Sequence, residues 1–340
     1  MKYPSPTFAA GRIALCLGGL FGLLGGAGCA PMSFLITPVS GSRALHEHVV
    51  QRDSVWASRR IAIVDIEGTI TNAVTSSVLG AVSRNPVALF REKLDKAARD
   101  KRVKAVVLRI NSPGGGVTAS DLMYQEVMRF KKTSGKPVIA ALMDVAASGG
   151  YYVACAADAI YAQPTSVTGS IGVIMITPDL SGAMQKLGIR TNVFKSAARK
   201  DAGSPFRAMT EQDKAVYQEI ISRMYARFLD VVAASRTGLT REQVARLADG
   251  RVYFASVAKE NGLIDEIGDL PAALGRAKHD AGIADSKVVV VEYAISTAHR
   301  PNIYADAPAR APSVNLIKFE LPAPFNSSGA RFLYLWTPGW

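Results

Sequence analysis

Three stretches of this chain are apolar at almost every position yet too short to be buried helices: residues 61–66, 103–110 and 137–143. A strand with one wet face alternates apolar and polar residues. A strand apolar on both sides has to be covered on both, which calls for a mainly parallel sheet between layers of helix. The segments between these runs supply the helices. Asn85-Pro86 is a helix start, with Asn as the cap and Pro in the first turn, and that helix carries Phe90 and Leu94 on to about residue 100. A second amphipathic helix is expected over 119–131. Further on the pattern predicts strands at 159–162, 171–175 and 191–194, and helices at 180–187, 210–234 and 240–248. A last strand is expected at 286–293. Thr210 caps the longest helix, with Glu211 and Asp213 favourable in its first turn. Repeated strand-helix units of this kind specify an α/β core.

The pattern divides the chain into an N-terminal segment (1–40), a polar linker (41–59), the α/β body (60–296) and a proline-rich C-terminal tail (297–340). In the first segment Lys2 and Arg12 precede an apolar, Gly- and Leu-rich run over 13–30, the layout of an export signal. Two forms of membrane attachment fit it. Gly26-Ala27-Gly28-Cys29 can be a lipoprotein cleavage site, with Cys29 taking the lipid. Alternatively the run stays as an anchor, near the lower limit of length for crossing a bilayer. Basic residues ahead of the run place the body outside the cytoplasm. The tail ends in Phe332-Leu333-Tyr334-Leu335-Trp336. It is expected to be poorly ordered, or to bring these aromatics to a membrane or a neighbouring subunit.

With 340 residues, 49% of them hydrophobic and 20% charged, the chain can bury one large core or two smaller ones. Its net charge of +12 suits an evenly basic surface or attraction to an anionic membrane. Nucleic acid is not an expected partner, because no Lys/Arg run interleaved with aromatics occurs. Three cysteines make no disulfide framework, and Cys155 reads as a buried filler. No metal or cofactor is implied, since no His/Cys/Asp cluster has ligand spacing.

The chemistry centres on Ser148. It follows an apolar run in Asp144-Val145-Ala146-Ala147-Ser148-Gly149-Gly150-Tyr151 and opens a helix, so its hydroxyl meets free backbone N–H groups. A helix cap is the plainer role for such a serine. Gly114-Gly115-Gly116 also follows a buried strand and should reach the same sheet edge, where glycine N–H groups can line an oxyanion hole. No Gly-Lys-Ser/Thr follows these glycines, so they are not a phosphate loop. The histidines, His46, His48, His279 and His299, accompany no triad motif. That leaves lysine as the base for the serine, with Lys200 and its rival Lys195 in one loop. A lysine acts as a base only when neutral, and holding one neutral near pH 7 costs roughly 4–5 kcal/mol, which desolvation in a closed cleft can supply.

With these residues in view, the chain resembles the short-form signal peptide peptidase A family over about residues 60–270. The resemblance is carried by Asn111-Ser112-Pro113-Gly114-Gly115-Gly116, the Ser148 motif, Thr168-Gly169-Ser170-Ile171-Gly172-Val173, Lys195-Ser196 with Lys200-Asp201, Gly250-Arg251-Val252-Tyr253 and Gly262-Leu263-Ile264-Asp265. It departs at Ala197, where the family usually carries glycine. The resemblance implies a ClpP/crotonase-like fold, with Ser148 as nucleophile and Lys200 as general base and acid. It further implies an oxyanion hole at Gly114, Gly115 and Gly149, and Ser170 as the residue that orients the lysine. Remnant signal peptides and other apolar peptides become the expected substrates, and a homo-oligomeric ring at the membrane the expected assembly. Two other readings of the same fold are an acyl-CoA enzyme, which an export signal argues against, and a non-catalytic membrane scaffold.

Overall fold

The structure is a computed structural model that describes residues 44–73, 84–295, 302–304 and 332–336. The apolar N-terminal run with Cys29, and most of the tail, lie outside the described residues. Among the described residues no helix is long and apolar enough to cross a membrane.

The elements run β1 (His46–Arg52), β2 (Arg59–Glu67), α1 (Pro86–Arg99), β3 (Val103–Ser112), β4 (Gly114–Gly116), α2 (Val117–Ser134), β5 (Val138–Ala147), α3 (Gly149–Ala154), β6 (Ala159–Ala162), β7 (Val167–Gly169) and β8 (Ile174–Met175). They continue as α4 (Ser181–Lys186), α5 (Glu211–Ser235), α6 (Arg241–Leu247), β9 (Val252–Phe254), α7 (Ala255–Glu260), β10 (Glu266–Ile267), α8 (Leu270–Asp280), β11 (Val288–Ala294) and β12 (Phe332–Leu335). The main sheet has the order β1-β11-β2-β3-β5-β6-β10, with β7 beside the end of β5 and β9 beside β7. All its pairings are parallel except β1 with β11 and β7 with β9. This is the mostly parallel α/β architecture the apolar runs demanded.

Successive residues of the central strands enter two different cores. Ala62, Val64 and Ile66 of β2 face the helices α1 and α2, whereas Ile61 and Ile63 face α8. Val106, Leu108 and Ile110 of β3 join the first core, and Ala105 and Val107 the second. A period of two thus feeds two layers at once, which is why these strands read as unbroken apolar runs. Asn85 caps α1 by accepting from the Val87 and Ala88 N–H groups at 2.9 and 3.2 Å, and Val87, Phe90, Leu94 and Ala97 form its buried face. Fully burying a side chain such as Phe90 or Leu94 contributes about 1.5–3 kcal/mol. Lys136 closes the other end of α1, donating to the carbonyls of Ala97, Ala98 and Asp100 at 2.7–3.0 Å. Thr210 and Asp213 make a reciprocal capping box at the start of α5.

Three local expectations change. Residues 46–52, read as linker, form edge strand β1 against β11. Residues 191–194 are exposed and form no strand. The strand expected over 171–175 shrinks to Ile174–Met175. Its start is displaced because Ser170, at φ 50°, turns the chain out of the extended conformation.

Candidate active site

Parallel strands deliver their carboxyl ends to one edge of the sheet, where loops gather into a cleft. Here β3 ends in the glycine turn and β5 ends in Ser148, with Ser112 opposite Ala146 and Ala147 opposite Gly169 in the ladders. Ser148 sits at φ 52°, ψ −114°, a backbone state that costs a residue with a Cβ about 1–3 kcal/mol. Two bonds hold it there. Its N–H donates to the Gly169 carbonyl at 2.7 Å, and its carbonyl accepts from the Tyr152 N–H at 2.8 Å. Its side chain makes no cap hydrogen bond, which sets aside the plainer reading of a helix cap. Ser148 lines a cavity of about 470 Å³ together with Ser170, Ile171, Ile174, Tyr225 and Trp336. Helix α3 is only six residues long, so nearby N–H groups rather than a long dipole set the local field.

The glycine turn is built by close approach. Gly116 N–H donates to the Ile70 carbonyl at 2.9 Å, and Ile70 N–H to the Gly114 carbonyl at 2.8 Å. Alternation along a strand then turns the N–H and C=O of Gly115 to the opposite side. Gly114 lies at φ +96°, and its N–H donates to Ser112 Oγ at 3.1 Å. Of the glycines expected to line an oxyanion hole, Gly114 therefore already has an internal acceptor. Gly149, the first residue of α3, has no intrahelical acceptor for its N–H. It stands beside the turn, since a Cβ on Gly114 would lie 2.5 Å from its nitrogen. Ser112 and Ser120, both fully buried, brace this corner by donating to the Gly68 and Gly116 carbonyls at 2.6 and 3.0 Å. Sequence reasoning passed over both; only Ser112 lay in a motif, and there the glycines drew the reading.

Ser170 shares the cavity with Ser148, at φ 50° and 7% exposure. Its N–H donates to the Arg251 carbonyl at 2.8 Å, and Tyr253 packs over Gly169, where an added Cβ would come 2.6 Å from its ring. The Gly250-Arg251-Val252-Tyr253 motif is thus the back wall of the serine loops. Tyr151, behind Ser148, donates its hydroxyl to the Leu263 carbonyl at 2.7 Å, which brings in the Gly262–Asp265 motif. Cys155 is buried, and that burial pushes its thiol up to about 12, so it stays a protonated filler at neutral pH.

The lysines lie elsewhere. Lys200 is exposed on the segment between α4 and α5 and is not part of the Ser148 cavity wall. Among the described residues its Nζ has no hydrogen-bond or ion-pair partner. Lys195 is tied down, with Nζ 2.8 Å from Asp201 Oδ1 and 2.9 Å from the Ala198 carbonyl. Hydrogen bonds from Arg207 and Lys195 hold the Asp201 carboxyl well below the usual range. Asp201 therefore stays charged, and Lys195 is engaged as its ion-pair partner within the loop. None of the described histidines, His46, His48 and His279, lines the Ser148 cavity.

The parallel core, the strained serine at a strand end and the glycine turn beside it place the molecule in the ClpP/crotonase-like class of α/β folds. Comparison with known proteins narrows this. The sequence profile of peptidase family S49 matches residues 130–284. A signal peptide peptidase A of Enterococcus faecium is 36% identical over 249 residues, 73% of this chain and 71% of that protein. Protease 4 of Haemophilus influenzae is 39% identical over 221 residues, 64% of this chain but only 34% of that longer protein. The chloroplastic serine protease SPPA of Arabidopsis thaliana is 35% identical over 250 residues, 72% of this chain and 36% of the plant protein. The chain belongs to the signal peptide peptidase A family of S49 peptidases, and it is a peptidase.

Proposed function

We propose that this peptidase is a membrane-tethered serine endopeptidase whose nucleophile is Ser148 and whose base is Lys200. The observation that carries the reading is the strained Ser148, its side chain free of any cap bond, in the wall of a cleft beside the glycine turn. In the reaction the hydroxyl oxygen attacks a peptide carbonyl while the neutral lysine takes its proton. Gly115 and Gly149 N–H groups hold the developing oxyanion. The lysine then gives the proton to the departing amine, and water hydrolyses the acyl ester. Ser170 is the group to orient the lysine.

Lys200 lies outside its own chain's cleft, so the base reaches Ser148 from an adjacent copy in a homo-oligomeric ring. Its segment suits that role: Phe194 is 96% exposed, with Ile189 and Val193 also exposed beside it, an apolar stretch that a second copy would cover. The N-terminal run tethers the ring to the membrane, through Cys29 or as an anchor, with the body outside the cytoplasm. Apolar peptides such as remnant signal peptides are the substrates.

The test uses a fluorophosphonate or peptide-aldehyde probe with wild-type, Ser148→Ala and Lys200→Ala chains. Ser148 should take the label, and each variant should lose about a thousandfold or more of peptide hydrolysis. Labelling at another residue, or substantial turnover by Ser148→Ala, would end the proposal.

A further inference from the structure

Among the described residues, no apolar side chain between Ile171 and Phe228 is buried, and Asp213 is the one buried residue of that stretch. The segment that carries Lys200 therefore has no apolar core of its own to fix its shape. Its backbone makes only short turns. Lys200 N–H donates to the Ala197 carbonyl at 3.1 Å, Ala202 N–H to that of Arg199 at 3.1 Å and Ser204 N–H to that of Asp201 at 3.0 Å. Exposed turns with so few buried contacts open readily in water unless something beyond them holds on. Here charged side chains do the holding.

Arg207 is at their centre. Its Nη2 donates to Asp201 Oδ1 at 2.9 Å, and its Nη1 to Asp213 Oδ2 at 2.7 Å and to the Ala208 carbonyl at 3.0 Å. Asp201 Oδ1 also accepts from Lys195 Nζ at 2.8 Å. The Lys195–Asp201 contact closes a ring around Lys200, and the Arg207 contacts fasten that ring to α5. The anchor is firm. Asp213 is 2% exposed and belongs to the capping box of α5, where it accepts from the Thr210 N–H at 3.2 Å. Tyr217, a turn further along α5, adds a bond from its hydroxyl to the Ala202 carbonyl at 2.9 Å. Beyond it, Ile221 and Tyr225 of the same helix wall the Ser148 cavity. Arg207 holds both carboxylates although its Nε is left buried with no acceptor among the described residues, so the two acids decide how the guanidinium lies. Hydrogen bonds from Arg207 keep both carboxyls below their ordinary values, and the row of alternating charges is complete at neutral pH.

We propose that Arg207 is a positioning residue for the Lys200 base, fastening the loop on which Lys200 sits to the first turn of α5 through Asp201 and Asp213. Asp201 is the next residue in the chain, so fixing it fixes the point from which the lysine reaches out. A reacting group displaced by about 1 Å can lose about 100-fold in rate, and this loop has no other buried contact to prevent that. Arginine suits the task because its planar fork spans two carboxylates; a lysine at 207 would meet one of them as a point charge. The positioning role rests on Lys200 as the base. The clamp itself does not.

The test reads the clamp and the chemistry separately in the full-length protein. In Arg207→Ala, amide hydrogen exchange over residues 197–204 should quicken about tenfold or more, with exchange in β3 and β5 unchanged. Peptide kcat should fall about 10–100-fold while KM stays within about twofold, because the cleft that binds the peptide is intact. Arg207→Lys should recover part of both. Should Arg207→Ala fail to fold, Asp201→Asn, which removes the charge and keeps the shape, should show the same two changes in smaller measure. Arg207→Ala chains should also regain hydrolysis when reassembled with Ser148→Ala chains but not with Lys200→Ala chains, since the defect lies with the lysine. Unchanged exchange, a loss confined to KM, or rescue by Lys200→Ala chains overturns the proposal. Faster exchange with kcat untouched overturns the positioning role, and the Lys200→Ala chain then says where the fault lies. If that chain is inactive, only the role of Arg207 has failed; if it is active, Lys200 is not the base.

Discussion

The Ser148 N–H donates to the carbonyl of Gly169 at 2.7 Å, and that bond joins two loops that both run at positive φ. Gly169 itself is at +86°, followed by Ser170 at 50°. A side chain at 169 would be strained by its backbone and would strike Tyr253 at 2.6 Å. Gly169→Ala should therefore lower the melting temperature and reduce hydrolysis together, although it removes no reactive group. Melting curves and a peptide assay on the same preparation check this; wild-type activity would show that the Ser148–Gly169 link does not position the serine.

Ser148 is expected to hold its conformation at a cost to stability. Ser148→Ala keeps a Cβ at φ 52° and should melt near wild type. Ser148→Gly relieves the strain but loosens the unfolded chain, a net gain of about 1 kcal/mol, or about 2–4 °C in a domain of this size. Both variants should be inactive. If the two melted at the same temperature, the strain at Ser148 would be no larger than the entropy that glycine returns to the unfolded chain.

A base supplied by a second copy makes a prediction that a base within one chain does not. Ser148→Ala and Lys200→Ala chains, each inactive alone, should regain part of wild-type hydrolysis when dissociated, mixed and reassembled. A serine from the Lys200→Ala chain then meets a lysine from the other. Mixed assemblies, verified by mass, that stay inactive would rule out the shared site.

What the sequence revealed follows from how many constraints each segment obeys. Strands β2, β3 and β5 are buried on both sides over 61–64, 105–110 and 138–142, so successive residues there report the same thing. The caps Asn85 and Thr210 were legible because a single side-chain oxygen does the work beside its own helix. Strand β1 was not, since at the sheet edge only Val50 of His46–Arg52 is buried. Strand β12 escaped for a different reason: one of its two partners is a run of three glycines, whose sequence carries no period, and the other is only two residues long. At the site, the place of Ser148 after an apolar strand was readable, but the φ of Ser148 and Ser170 depends on contacts with distant residues. Thr191–Phe194 has β-branched and aromatic residues as a strand would, yet among the described residues no neighbour offers it a ladder.

One ion pair fastens the end of helix α5 to the rest of the fold. Arg236, at the end of α5, donates to Asp265 at 2.8 and 2.9 Å and to the Gly262 carbonyl at 2.8 Å, while Asp265 also accepts from the Ile160 N–H at 2.7 Å. Helix α5, which carries Met224 and Phe228, is thereby fastened to β6. Burial alone would raise the Asp265 pKa, but the hydrogen bonds from Arg236 and Ile160 outweigh it, and the carboxyl lies below its ordinary value. A carboxyl lowered by folding stabilises the native state fully above its unfolded pKa of about 3.9, and that contribution fades as the pH falls through 3.9 towards the lower native value. Asp265→Asn should melt below wild type at pH 6. The gap should narrow steadily between about pH 5 and pH 3, because only the wild-type chain has this charge to lose. Melting temperatures across that range decide it, and a gap that stays constant or widens on acidification would remove the Arg236–Asp265 pair from the forces holding α5 in place.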